Sequence, residues 1–277
     1  MEDNSHLQNL LQQLLAKDWK TRQLAVKELG ELGDCEALPH LVKRLDDRSM
    51  RVRHSAISAL AKLNDPSIIQ PLLHVFLNTT DTVLFSVAAY GLGKIKAEVA
   101  IEPFRRKFSD RHINSSVMFA FLEFGERIHE LLQSMLKNGN SNEKRNSADA
   151  IRQWWHQNLY RDWIRQTAVP LMINNLNDPD DYTRGYTAVV LSDMREPSAF
   201  DRILELAKDT SDYVRWCFAG MIVKYEDRRA IPALEWIRDN DKAWQIVRGQ
   251  EESYRQNNAD IAKQSIARLR GEKNWWA

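Results

Sequence analysis

Few residues in this 277-residue chain are spaced for catalysis. Gly91-Leu-Gly93-Lys94 has the small residues and the lysine with which a loop could cradle phosphate. It lacks the preceding strand and the full spacing of such a loop, so the stretch is predicted to end a helix. The seven histidines show no HxxxH or HxxE spacing on a shared face, and no metal is expected. Cys35 and Cys217 stand far apart with no CxxC companion, which removes a disulfide framework and a zinc knuckle. Both read as small fillers inside repeat helices or turns, and no GxSxG elbow offers another nucleophile. The sequence therefore assigns no catalytic residue and calls for no cofactor.

Recognition chemistry is better represented. Nine tryptophans is a rich supply. Ile151, Trp155, Leu159 and Trp163 fall on one helical stripe and are predicted to be buried. Trp154 lies off that stripe and is expected as an exposed anchor for a partner, whereas Trp275 and Trp276 are expected to fold back on the last helix. Lys and Arg total 39 against 38 Asp and Glu, interleaved rather than in blocks. That balance argues against a protein whose main work is neutralising nucleic-acid phosphates. The start, MEDNSHLQ, is no signal peptide, and no apolar run reaches the ~18–20 residues of a membrane helix. With free cysteines, these features predict a cytoplasmic protein with no membrane partner.

What must position those residues is a repeat. Lys20–Leu41 reads KTRQLAVKELGELGDCEALPHL and Tyr213–Leu234 reads YVRWCFAGMIVKYEDRRAIPAL. Laid over one another, Arg22 meets Arg215, Asp34 meets Asp227, Pro39 meets Pro232 and Leu41 meets Leu234. Shifts of about 31 residues recover further copies. The second holds Arg53, Ala56, Leu60 and Asp65; the third holds Ala88 and Leu92, with Phe85 replacing the arginine. The fourth, near Arg111–Lys137, keeps only apolar positions. The fifth starts at Arg145 and Ala148, then takes about eight extra residues around Trp154–Trp163 before Val169-Pro170. The sixth starts at Arg184.

Each copy reads as two helices, with proline tolerated in the first turn of the second. Asp18 is a predicted N-cap, Gly30 and Gly33 loosen the end of the first helix, and Ser5 is expected to cap a terminal helix over Ser5–Ala16. Polar helices are predicted near Asp241–Gln250 and Asn257–Arg270. The fold class that follows is all-α, an α-solenoid of about seven helix pairs, read as one domain over residues 1–277. Residues 1–17 form its N-terminal cap, 18–238 the repeats and 239–277 the C-terminal cap. Arg22, Arg53, Arg184 and Arg215 are expected to form a ladder with Asp34, Asp65 and Asp227 between neighbouring repeats.

On the second helices, opposite the buried stripe, runs a row of Lys43, His74, Arg106, Gln133, Asn174, Glu205 and Trp236. It passes from cationic to acidic and aromatic character. Lys43, His74, Arg106, Trp154, Glu205 and Trp236 are the predicted partner-binding residues.

The segments VRHSAISALAKLNDPSIIQPL (Val52–Leu72), AAYGLGKI (Ala88–Ile95) and AIPAL (Ala230–Leu234) resemble HEAT repeats, specifically the short HEAT-like repeats named after bilin lyases. The resemblance implies an α-solenoid that commonly serves as a protein-interaction scaffold. In the lyase branch it implies handling of a linear tetrapyrrole and its attachment to, or removal from, a phycobiliprotein cysteine. Deoxyhypusine hydroxylase, another helical-repeat enzyme, needs several His-Glu pairs to hold iron, and this chain has one, His129-Glu130. The expectation is a non-catalytic scaffold or assembly factor that docks a protein on its concave face. The enzyme-class alternative is a bilin lyase-like protein acting on a phycobiliprotein subunit.

Overall fold

A computed structural model describes residues 2–63, 65–110, 115–248 and 253–272. The fold class is all-α, an α-solenoid, and the chain divides into two compact units, Met1–His129 and Glu130–Ala277. Among the described residues no helix is long and apolar enough to cross a membrane.

In the first unit α1 (Glu2–Gln13) precedes three helix pairs: α2 (Trp19–Leu32) with α3 (Leu38–Lys43), α4 (Met50–Leu63) with α5 (Ile69–Asn78), and α6 (Thr82–Lys94) with α7 (Ile101–Phe108). α8 (Ser115–Leu122) follows. The first helices stack in series, α2 on α4, α4 on α6 and α6 on α8. Neither helix of a pair can hide its apolar stripe alone, so stacking closes the core. Ala25, Ala56 and Ala88 are completely buried, as are Leu29, Leu60 and Leu92. Each such leucine is worth about 1.5–3 kcal/mol of transfer free energy.

Gly30 and Gly93 do more than loosen helix ends. A Cβ at Gly30 would come within 2.7 Å of the Ala59 Cβ, and one at Gly93 within 2.5 Å of the Ala120 carbonyl oxygen. They are contact points where successive first helices meet backbone to backbone. The Gly91–Lys94 stretch is thereby explained by packing. Gly33, at φ 71°, ends α2 in the left-handed conformation that glycine favours.

The second unit opens with α9 (His129–Asn138), then α10 (Ser141–His156), the single turn α11 (Arg161–Trp163) and α12 (Val169–Asn175). Two further pairs follow: α13 (Asp181–Asp193) with α14 (Phe200–Glu205), and α15 (Asp212–Met221) with α16 (Ile231–Asn240). An antiparallel hairpin of β1 (Trp244–Arg248) and β2 (Ser253–Asn257) leads into α17 (Asn258–Arg270). Here α10 packs on α13, α13 on α15 and α15 on α17.

Several local expectations change. Ser5 lies inside α1, which ends at Gln13 rather than Ala16. Cys35 is exposed in a 3-10 turn and fills nothing, while Cys217 is buried as expected. The helix expected near Asp241–Gln250 is a hairpin, and the chain enters it after α16 ends at Asn240. Trp244–Arg248 pairs with Ser253–Asn257 in antiparallel register instead of continuing as a helix. Arg111, Trp275 and Trp276 lie outside the described residues.

Candidate functional site

The ladder that orients the second helices exists, but its acids are not the expected ones. Asp34, Asp65 and Asp227 each accept from an amide two residues on and cap short 3-10 turns. The arginines reach a different aspartate, the one that ends each repeat. Arg22 forks onto Asp47 with two bonds of 2.8 Å and also donates to the Ala16 and Lys17 carbonyls. Asp47 in turn caps the Ser49 amide, and its carbonyl accepts from Arg53 at 3.0 Å. Arg53 then meets Asp81 at 3.1 Å.

The second unit repeats this in longer form. Lys144, rather than Arg145, holds Asp178 at 2.6 Å, and the Asp178 carbonyl receives Arg184. Arg184 forks onto Asp209, whose carbonyl receives Arg215, which forks onto Asp241. Asn258 closes the series at 2.9 Å from Asp241. Each link ties the loop before a repeat to the loop after it, so it fixes where the second helix points.

Burial alone pushes the Asp47, Asp209 and Asp241 carboxyls up. Their arginine partners, with the capping amides, outweigh it and hold all three below the usual carboxylate range. These charges are consumed by architecture.

The row on the second helices is outside the ladder. In the first unit Lys43, His74 and Arg106 are exposed on α3, α5 and α7. Arg106 shares Glu102 with Arg105, at 3.5 and 2.8 Å, so part of its charge is met on its own helix. Beside it opens a cleft of about 370 Å³ lined by Phe76, Leu77, Phe85, Pro103, Arg106 and Lys107. Leu77 is 59% exposed at its edge.

In the second unit Gln133, Asn174, Glu205 and Trp236 are exposed on α9, α12, α14 and α16. Glu205 is paired with Arg202, three residues back. The Trp236 indole is 37% exposed, with the Lys208 ammonium 5.9 Å from its ring. The row is thus less a charge gradient than apolar surface set beside cations.

Trp154 is a correction. It is 1% exposed and cannot serve as an anchor. A stripe that runs through Trp163 requires one continuous helix, but α10 ends at His156, and Asn158 and Tyr160 take positive φ. The chain doubles back, and the Tyr160 and Trp163 rings close over Trp154 at 4.8 and 6.2 Å between centroids. Trp155 is buried as expected, under the Arg161 guanidinium at 3.7 Å, while Leu159 is exposed. A π-helical turn over Ile164–Ala168 absorbs the inserted residues before α12.

Sequence reasoning missed one cluster. Asp193 accepts from Arg152, His156 and Lys224, and Asp149 from Arg152 and the Tyr186 hydroxyl. The signal was present in Ser192-Asp-Met-Arg195, where an acid is the last residue of the first helix of the sixth copy. Among the described residues no group of three or more His, Cys, Asp or Glu could hold a metal ion.

Comparison with known proteins follows the repeat pattern. A family described as HEAT repeats matches residues 7–93 and 169–255. A bilin biosynthesis protein, PecE of Nostoc sp., is 26% identical over 146 residues, 51% of this chain and 51% of that protein. The chain thus spans about half the length of this curated relative. Among solved structures, the complex of CpcE and CpcF of phycocyanin lyase from Nostoc sp. is similar at 17% identity. Its TM-score is 0.42, covering 84% of this chain and 94% of that one. Human deoxyhypusine hydroxylase is similar at 15% identity and a TM-score of 0.37, covering 98% and 96%.

Proposed function

Because the chain belongs to the HEAT-repeat family, we propose that it docks a partner protein along the exposed row of its second helices, as a scaffold or assembly factor. One observation carries this reading. Each unit sets stiff apolar surface beside a cation on that row: the Phe76–Phe85 cleft next to Arg106 and Lys107, and Trp236 next to Lys208. Aromatic and arginine side chains are the usual hot spots of protein interfaces. The buried and half-buried acids and bases of the ladder are already engaged in joining repeats, which suits a rigid binding surface. The partner is a protein with an apolar anchor flanked by acidic groups.

The test is a pair of measurements on Trp236→Ala, thermal unfolding and affinity for the partner co-purified from the native host. A docking role makes the complex dissociate faster, at a cost of about 2 kcal/mol or more, with little change in melting. A lowered melting temperature with unchanged affinity removes Trp236 from the site. Lys43→Glu should slow association more than Arg106→Glu, because Arg106 is already partnered by Glu102.

A second reading is favoured by the similarity to PecE, a bilin biosynthesis protein. On that reading the docked partner is a phycobiliprotein subunit and the chain handles its linear tetrapyrrole. Mixing the protein with an apo-subunit and free bilin would then give a covalent, zinc-fluorescent band faster than without it. A colourless co-purified complex, and labelling no faster than the control, would leave docking alone.

A further inference from the structure

At the start of the first unit, α1, α3 and the loops that follow them frame a groove in two parts. The larger, about 890 Å³, is lined by Gln8, Leu11 and Gln12 from α1 and by His40 and Lys43 from α3. The smaller, about 390 Å³, is lined by Lys17 from one loop and by Asp46 and Arg48 from the next. Leu14, Leu15, Lys43 and Arg44 line both, so the two parts are continuous.

The second unit holds a counterpart that separates what the repeat needs from what it does not. Arg184 donates to the Asp178 and Pro179 carbonyls and forks onto Asp209. Arg22 does the same to the Ala16 and Lys17 carbonyls and to Asp47. Beside Arg184 lies a hollow of about 470 Å³ lined by Asn177, Pro179, Glu205, Leu206 and Thr210. Matched through those bonds, these five stand where the first unit has Leu15, Lys17, Lys43, Arg44 and Arg48. The ladder forms in both places, so it demands neither the four cations nor the leucine.

The charges are also left in different states. In the second unit Glu205 pairs with Arg202, and Asp178 with Lys144. In the first, Lys17 and Lys43 are exposed and have no ion pair among the described residues. Arg48 is exposed and donates to the Lys17 carbonyl. Arg44 is half-buried, donates to the Leu14 carbonyl at 3.0 Å and lies 3.6 Å from Asp47. Asp47 is already taken by Arg22, which leaves Glu36 and Asp46 as the groove's free carboxylates. Leu15 is 76% exposed among these cations.

We propose that this groove binds an acidic segment of a partner protein. One leucine-like side chain of the segment covers Leu11 and Leu15, and flanking carboxylates meet Lys17, Lys43 and Arg48. The surplus of cations sets the sign of the partner. The amides of Gln8, Asn9 and Gln12, which line the α1 side, both donate and accept, as a peptide backbone does. A nucleic-acid backbone carries no apolar side chain to cover the leucines. The site rests on the docking reading for its partner, but it uses neither the Phe76–Phe85 cleft nor Trp236 and shares only Lys43 with the row.

The test uses the full chain and synthetic twelve-residue peptides, read by fluorescence anisotropy. The parent peptide flanks two leucines with glutamates; one copy has serine for leucine, and another has lysine for glutamate. The parent should bind about tenfold more tightly than the serine copy, the worth of a partly buried leucine, and the lysine copy should not bind. Lys17→Glu with Lys43→Glu should weaken the parent about tenfold in low salt, with the gap narrowing as salt is added. Leu15→Ser should erase the preference for leucine over serine and leave the discrimination against lysine. All three side chains are exposed, so melting should hold, and Leu15→Ser stands in should the charge variant fail to fold.

No binding of the parent peptide, or binding that both variants leave unchanged, overturns the proposal. So does tighter binding of oligothymidylate or of phosphatidylserine vesicles at the same salt. A partner complex that Trp236→Ala still weakens, with no peptide bound, sinks the groove and leaves the row. Peptide binding with Trp236→Ala neutral supports the groove and removes Trp236 from the docking surface.

Discussion

The first unit joins its repeats in two different ways at the same repeat position. At its start, Arg22 and Arg53 tie loop to loop through Asp47 and Asp81. One repeat later Phe85 occupies that position. It stacks on Phe76 at 4.7 Å, and Phe76 meets Phe104, which meets Phe124, at 4.9 and 6.1 Å. Both devices hold a second helix at a set angle to its neighbours. The arginine does so with directional bonds to named carbonyls and a carboxylate, so it fixes register at the loops. The phenylalanines do so by filling volume, beside a cleft that Arg106 and Lys107 border. Ladder segments are thus joined by directional bonds between loops, and the aromatic segment by packed rings.

The largest effect should come from breaking a ladder link. Arg22→Ala strips Asp47, whose side chain is 4% exposed, of its forked partner and leaves only Arg44, at 3.6 Å, to meet the buried charge. The expected loss is about 3–5 kcal/mol in urea unfolding. Replacing both partners, Arg22→Met with Asp47→Leu, should cost much less, because no orphaned charge remains. Equal losses from the single and the double change would mean that the link acts through shape alone. The ladder also predicts the sign of the pH dependence. Asp47, Asp209 and Asp241 titrate lower folded than unfolded. Their stabilisation is therefore complete above the unfolded value near 3.9 and is lost as pH falls through the lower folded values. Arg22→Ala should flatten that acid limb, whereas a change in the phenylalanine cluster should leave its slope alone.

A smaller effect sharpens the contrast. Phe85→Arg restores the ladder residue, and Asp110 lies 25 residues on, the same spacing as Arg22 to Asp47. Loss of the Phe76 stack, about 0.5–1.5 kcal/mol beyond its area, should exceed what a half-exposed ion pair returns, about 0–1 kcal/mol. The variant should be modestly less stable, and a second change, Asp110→Ala, should lower it further only if the new link forms. A Phe85→Arg protein more stable than the parent would show that the aromatic joint is no alternative to the ladder but a defect in it.

Whether a feature is legible in the sequence depends on its period. Ala25, Leu29 and their copies recur with the helix and repeat periods, so the pattern alone marks them as buried. The aspartates that join the ladder carry no such mark. Asp34, Asp65 and Asp227 recur in register, but that position is used up by the amides of a 3-10 turn, and the acid that matters sits at the other end of the repeat. Trp154 is misplaced by the pattern for a related reason. A helical phase carries no information past the residue where the helix stops, and the positive φ of Asn158 and Tyr160 is a tertiary choice in non-glycine residues. The second-helix row is legible as exposed positions, but its charges are not, because Glu102 and Arg202 meet Arg106 and Glu205 locally.

The smallest expected effect tests whether surface ties between first helices belong with the ladder. Lys62 pairs with Glu31 across α4 and α2, and Lys94 with Glu123 following α8 at 2.7 Å. They recur in neighbouring repeats and look like a second ladder. Their side chains are 38–71% exposed, however, so water and salt compete for both charges. Ordering two long side chains offsets most of the remaining attraction, and an exposed pair is worth about 0–1 kcal/mol. Lys62→Ala should therefore shift the urea midpoint slightly, with the shift vanishing at high salt. Leu60→Ala, two residues away and completely buried, should cost about 2–5 kcal/mol at any salt concentration. A loss at Lys62 as large as that at Arg22, persisting at high salt, would place the surface pairs in the ladder and erase the distinction between bonds that set the repeat geometry and bonds that merely decorate it.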